Sequence, residues 1–160
     1  MPAALKHKTY GLHPIKFGLL LFWGLWFLIA FLTNTFDFLG VYNYLPTVWR
    51  FRSNNLALIT SVIHIYNFPG TWANLLFTID IIIQGSASIL FLIAAMKWWS
   101  HRQAWKWING AFGLSIALWA AFILMDEFFI AYNFEGTHML LIVAELLTFT
   151  ALHLLPDESN

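Results

Sequence analysis

The sequence contains no cysteine and few charged residues, and these two absences define its class. Without cysteine the chain has no disulfide, no thiolate metal site and no cysteine for lipid attachment. Only 10% of its 160 residues are Asp, Glu, Lys or Arg, against about 25% in a soluble domain. Because 60% of the residues are hydrophobic and the mean hydropathy is +0.70, the composition indicates an integral membrane protein.

The sequence also lacks a net charge and a known reaction motif. Eight basic residues balance eight acidic ones, so electrostatics gives no reason to expect nucleic-acid binding. No P-loop, dinucleotide-binding, metallopeptidase or serine-nucleophile motif is present. The expected partners are therefore membrane lipids and other integral membrane subunits.

Four apolar stretches are each long enough to cross a bilayer as a helix. They cover residues 17–37, 71–96, 107–130 and 137–155. A further apolar stretch, residues 56–65, is too short to cross, and we expect it to lie at the membrane interface. The sequence therefore predicts an all-α, four-transmembrane-helix bundle, residues 1–160 in one domain, with a short interfacial helix between spans one and two.

The basic residues predict the orientation of these spans. Six of the eight fall on one predicted side of the membrane, namely Lys6, Lys8, Lys16, Lys97, Arg102 and Lys106. The other side carries Arg50 and Arg52, which we expect to face lipid phosphates or a partner protein. The positive-inside rule then places both termini in the cytoplasm.

Two acidic residues lie deep inside predicted spans. Asp80 is about 14 Å from the start of the second span, and Glu145 is about 12 Å from the start of the fourth. A carboxylate at the bilayer centre costs about 2.5–3.5 kcal/mol, so both should point into the bundle at similar depth. Gln84 follows Asp80 by one helical turn and shares its face. Other candidate hydrogen-bond donors for these acids are Ser88, Thr78 and Thr148.

Asp80 and Glu145 are the centre of a predicted intramembrane polar cluster. Glu127, Gln84 and His138 are its other members, with Glu127 and His138 nearer the outer mouth. Because the four spans contain no Lys or Arg, we expect a protonated acid, a proton shared by the two acids, or a bound cation. A structural hydrogen bond between helices and a functional carboxylate are both open interpretations.

The remaining acids lie at the ends of spans. Asp37 and Asp126 are interpreted as ordinary solvated helix ends. Glu127 ends a stripe of polar and small residues that we expect to turn inward for close helix contact. The stripe consists of Asn109, Gly113, Ala117, Ala120, Leu124 and Glu127.

Histidines supply the candidates for haem or metal ligation. A bis-histidine haem needs two ligands at matching depth, and His64 and His138 fall on the same predicted side. A metal site could combine Glu127, His138 and Glu145, with His64 as a further candidate ligand. Their spacing matches no known metal signature, and lipids are the expected bound molecules.

Three short motifs carry a family resemblance. Residues 34–38 fit an Asn-x-x-Asp-aromatic pattern through Asn34 and Asp37, at the outer surface. Asp80 fits an acid early in the second span, and residues 127–129 read Glu-Phe-Phe where the pattern has Glu-Trp-Phe. The sequence thereby resembles a bacterial family of predicted small integral membrane proteins of unknown function. The resemblance implies four helices and a bacterial inner membrane, and no activity.

Three classes of function fit these observations. The first is an accessory subunit of a larger inner-membrane complex, for instance a respiratory or redox assembly, with no catalytic activity of its own. Small size and a rich aromatic surface, with 9 Trp, 16 Phe and 5 Tyr, favour it. The second is a proton or cation conduit, or small transporter, that uses Asp80 and Glu145. The third is a haem- or metal-binding membrane protein.

Overall fold

The protein is a helical bundle, described here by a computed structural model over residues 12–46, 48–99 and 104–155. Its helices are α1 (His13–Val41), α2 (Asn55–Ile63), α3 (Gly70–Lys97), α4 (Ala104–Phe128) and α5 (Tyr132–Leu154). A 3₁₀ turn, His64–Tyr66, extends α2, and the described ranges contain no β-strand. The predicted all-α architecture, with a short helix between the first two long ones, is confirmed.

The four long helices have the dimensions of membrane spans. With 29, 28, 25 and 23 residues, α1, α3, α4 and α5 are each long and apolar enough to cross a bilayer. α2 has nine residues and so measures about 14 Å, well short of the hydrocarbon thickness of about 30 Å. The chain therefore has the architecture of a small multi-pass membrane protein.

The connection between α4 and α5 is shorter than the sequence predicts. Ile130 adopts a φ of 56°, and the Ala131 N–H donates to the Asp126 carbonyl at 2.7 Å. A left-handed residue with such a backward hydrogen bond ends a helix within one turn. Because α5 then begins at Tyr132, five residues earlier than predicted, Glu145 lies about 20 Å along its helix.

The core is built mainly from aromatic rings. α3 packs against both α1 and α4, whereas α5 packs mainly on α4. Ring contacts run from Phe27 on α1 to Phe91 on α3 and Phe112 on α4, with centroids 5.9 and 4.8 Å apart. Phe149 on α5 continues the series 5.0 Å from Phe112. These four rings, the aromatic layer, join all four long helices.

Both ends of the described chain meet at one end of the bundle. The Lys16 ammonium group is buried and donates to the Leu155 carbonyl at 2.6 Å, where α5 ends. The Trp98 indole donates to the His13 carbonyl at 3.2 Å. Lys97 and Lys106 belong to this same end, as predicted for the basic side. The other basic residues predicted there, Lys6, Lys8 and Arg102, lie outside the described residues.

Candidate functional site

Asp80 is the centre of a buried polar cluster between α1 and α3. Its two carboxylate oxygens accept hydrogen bonds from the Gln84 amide at 2.7 Å and the Asn34 amide at 3.1 Å. The Asn34 amide also donates to the Gln84 carbonyl oxygen at 2.9 Å. The side chain of Asp80 is 6% exposed, and the three residues form a closed triangle that we call the Asp80 triangle. The predicted partner Gln84 is therefore correct.

The Asp80 triangle is connected to the short helix. Asn55, the first residue of α2, donates from its side-chain amide to the Asn34 carbonyl oxygen at 3.0 Å. One turn along α1, Asp37 accepts a hydrogen bond from the Leu56 backbone N–H at 3.0 Å. Asp37 is only 1% exposed, so its interpretation as a solvated helix end is wrong. Asn34 and Asp37, the predicted outer-surface motif, hold α2 against α1.

Glu145 has a separate set of partners on α4. It is fully buried and accepts hydrogen bonds from the Trp119 indole at 2.8 Å and the Ser115 hydroxyl at 2.5 Å. Ser115 and Trp119 lie one turn apart, so they present both donors on the face of α4 that contacts α5. Both oxygens of this carboxyl group thus have a partner within the bundle.

Asp126 and His138 form a third polar contact, between the end of α4 and the start of α5. The Asp126 carboxylate lies 2.5 Å from the His138 Nδ1 atom, and Asp126 is buried rather than solvated. The His138 ring also stacks on Phe122, with centroids 4.9 Å apart, and lies 6.1 Å from Trp119. Trp119 thereby contacts both His138 and Glu145.

The structure divides the predicted intramembrane polar cluster into parts. Asp80 and Gln84 belong to one group and Glu145 to another, and no described side chain hydrogen-bonds to both acids. His138 is next to the Glu145 group, because its ring stacks on Trp119, which donates to Glu145. Hydrogen-bond geometry thus favours two separate structural contacts over a shared proton. The other predicted donors bond to backbone carbonyls of their own or a neighbouring helix: Ser88 to Gly24, Thr78 to Asn74 and Thr148 to Ala144.

The candidate metal ligands do not converge. Glu127 and His64 are exposed, and His138 is occupied by Asp126. Within residues 12–46, 48–99 and 104–155, no three His, Asp or Glu side chains are grouped as metal ligands. The arrangement therefore gives no support to a metal site at His138, Glu127 and His64, or to a haem held by His64 and His138.

The small-residue stripe on α4 faces away from the bundle. Asn109, Gly113, Ala117 and Glu127 are exposed, Leu124 is 71% exposed, and Ala120 is half-buried. A methyl group added at Gly113 would meet no other atom within 4 Å. The prediction that this face turns inward is wrong, because α4 uses the opposite face, with Ser115 and Trp119, to hold α5.

Sequence reasoning missed the partners of the buried acids. Ser115 and Trp119 are not among the predicted donors, although their spacing of four is the signal of two donors on one helix face. Asn55 and the Asp126–His138 contact join residues far apart in sequence or across a turn of unknown shape. No local pattern points to those.

No protein-family model, curated protein or solved structure matches the chain. The resemblance carried by residues 34–38, Asp80 and residues 127–129 therefore stays a prediction.

Proposed function

We propose that the protein is an accessory subunit of a larger membrane assembly, contacting its neighbours through the exposed stripe on α4. The observation that carries this proposal is the stripe itself, which runs from Asn109 to Glu127 on the surface of the bundle. Glycine and alanine at helical spacing let a second helix approach closely, and polar side chains strengthen such contacts in a membrane.

The polar residues of the stripe favour contact with a neighbouring helix over contact with lipid alone. The side chains of Asn109 and Glu127 make no hydrogen bond with the described residues, and both residues are exposed. Lipid tails offer no partner for the Asn109 amide, whereas a neighbouring helix offers one to this amide and to the Glu127 carboxylate at the end of α4. Gly113 and Ala117 lie between these two positions and leave room for the approach.

The buried carboxylates support a structural role over transport. The Asp80 triangle and the Glu145 contacts are each satisfied by side chains of the bundle itself. Toward the end that carries Lys16, the aromatic layer fills the interior with apolar rings. A proton or cation pathway needs a series of polar groups, and these rings interrupt it.

The location proposed for this subunit is a bacterial inner membrane, with both termini in the cytoplasm. Lys16, Lys97 and Lys106 lie at one end of the bundle and Arg50 and Arg52 at the other, which supports that orientation. A reporter enzyme that works only in the cytoplasm should be active when it is fused after Asn160. Activity of a periplasm-dependent reporter at that position would reverse the orientation.

The proposal is tested by purifying tagged protein from its own membranes in mild detergent and identifying co-purifying chains by mass spectrometry. Gly113 is exposed and an added Cβ there meets no atom within 4 Å, so Gly113→Leu should fill the stripe from the outside and the co-purifying membrane subunits should be lost. Gly18→Leu is the matched control, because Gly18 is also an exposed helical glycine with no atom within 4 Å of an added methyl group.

Supporting the proposal requires a defined set of chains that are retained with wild type and Gly18→Leu and lost with Gly113→Leu. Equal melting temperatures of the two variants show that the loss does not reflect unfolding. Recovery of the same chains with Gly113→Leu, or no enrichment with wild type over a tag-only control, would contradict it.

A further inference from the structure

A polar cavity of about 500 Å³ opens at the end of the bundle that carries α2. It lies between the end of α1 and the segment that leads into α2. Its lining includes Gly40, Asn43, Trp49, Arg50, Arg52 and Asn54. Two guanidinium groups in one concave site are unusual in a chain with only eight basic residues.

Arg52 is held in position at the wall of this cavity. Its Nε atom donates to the Asn54 side-chain oxygen at 3.2 Å and lies 3.8 Å from a carboxylate oxygen of Asp37. A methyl group at Gly40 would lie 2.7 Å from the Arg52 Nη1 atom, so glycine makes room for the guanidinium beside α1. The contacts with Asn54 and Asp37 use Nε, and none of the described residues accepts a hydrogen bond from the terminal nitrogens.

Arg50 has no such partner. Its side chain is exposed and makes no hydrogen bond or ion pair with the described part of the chain. Among the described residues, Asp37, buried beside Arg52, is the carboxylate that pairs with an arginine. The residues that line the cavity include two arginines and no acidic residue, so the charge of its wall is positive.

We propose that this cavity binds a phosphate group, with Arg50 and Arg52 donating to its oxygens. A guanidinium presents paired N–H donors whose spacing matches phosphate oxygens, and such charge-assisted bonds are about twice as strong as neutral ones. Asn54 accepts from Arg52 through its oxygen, so its amide N–H₂ remains as a third donor on the same wall.

A membrane lipid is one source of that phosphate. Tyr44, Trp49 and Phe51 are exposed around the cavity, and exposed aromatic side chains of this kind mark the level of lipid headgroups. A soluble phosphate presents the same chemistry, so the experiment must separate the two sources. The site is independent of the proposed role as an accessory subunit, because it lies on α1 and the α1–α2 segment rather than on α4.

The test compares lipid and soluble phosphate on the same purified protein in neutral detergent. Native mass spectrometry measures the affinity for phosphatidylglycerol and for phosphatidylcholine, and calorimetry measures the binding of inorganic phosphate. Arg50→Gln is the main variant, because Arg50 supports no other contact and its replacement should not disturb folding. Lys106→Gln is the matched control, since Lys106 is an exposed cation on α4 at the opposite end.

We expect phosphatidylglycerol to bind more tightly than phosphatidylcholine, and Arg50→Gln to weaken that binding about tenfold while Lys106→Gln leaves it unchanged. Binding should also weaken as salt is raised, because the cavity is open to water. Arg50-dependent binding of inorganic phosphate alone would identify a soluble ligand and still support the site. No Arg50-dependent binding in either arm, or an equal loss with Lys106→Gln, would overturn it.

Discussion

The carboxylate of Asp37 on α1 caps α2 by accepting a hydrogen bond from the Leu56 backbone N–H at 3.0 Å. A helix is usually capped by the side chain just before it, but Asn54 makes no such bond and adopts a φ of 64°. An acceptor at a helix N-terminus is also favoured by the helix dipole. The cap from a distant residue therefore fixes where α2 lies on the bundle.

Removing this cap should loosen α2. Asp37→Ala leaves the Leu56 N–H without its acceptor and removes the carboxylate 3.8 Å from Arg52, and we expect a loss of about 1–3 kcal/mol. Hydrogen exchange should become faster in α2 before it does in α3. Glu127→Ala, which removes an exposed acid without a described partner, serves as the control. Unchanged α2 exchange in Asp37→Ala would show that the cap does not hold the helix.

Asp80→Asn should destabilise the bundle even though it changes no volume. In the Asp80 triangle, the side-chain nitrogen of Asn34 contacts both partners. Gln84 and Asp80 each use both terminal atoms of the side chain, one toward Asn34 and one toward each other. With a carboxylate at position 80 every pair joins a donor to an acceptor. With an amide at position 80, every combination of amide orientations leaves one contact between two donors or between two acceptors. That contact should cost about 1–3 kcal/mol. Unfolding in detergent measures this.

Glu145→Gln should be tolerated better than Asp80→Asn. The Gln oxygen can accept from the Trp119 indole, and the Ser115 hydroxyl can turn to accept from the new amide. Ser115 then donates to the Phe112 carbonyl, which already lies 3.4 Å away. The unfolding midpoint of Glu145→Gln should therefore stay close to that of wild type. A loss as large as that of Asp80→Asn would mean that Glu145 does more than accept two hydrogen bonds.

Two tryptophan replacements isolate the indole hydrogen bond of Glu145. Trp119→Phe removes the donor and leaves a carboxylate oxygen buried without a partner, which should cost about 1–3 kcal/mol. Trp107→Phe removes the same ring atoms, but its indole nitrogen is buried with no partner among the described residues. Its replacement should therefore be close to neutral in the same unfolding measurement. Equal losses would assign the effect of Trp119→Phe to ring volume alone.

The contact between α1 and α3 should be sensitive to a single methyl group at Gly85. An added Cβ there would lie 2.9 Å from the Phe31 ring, so Gly85→Ala should cost about 1–3 kcal/mol by overpacking. Gly18→Ala meets no atom within 4 Å and should instead be neutral or slightly stabilising, as alanine favours helix. If both variants melt at the same temperature, α1 and α3 have room to separate without loss.

Composition and the length of apolar stretches predicted the four long helices and the short one, because a bilayer demands about twenty apolar residues from each crossing helix. The same reasoning placed Asp80 and Gln84 on one helix face and required partners for Asp80 and Glu145. These conclusions depend on local sequence and on the cost of burying a charge, so no knowledge of the packing was needed.

Which helix faces meet was decided only by the tertiary structure. The α4 stripe looked suited to internal packing, yet Ser115 and Trp119 on the opposite face bind Glu145, and the stripe remains outside. In an apolar helix every face is compatible with lipid, so hydrophobic periodicity does not distinguish inside from outside. The burial of Asp37 and its hydrogen bond to Leu56 were likewise decided by packing. Leu56 is nineteen positions away in the sequence, and only the folded chain brings the two residues together.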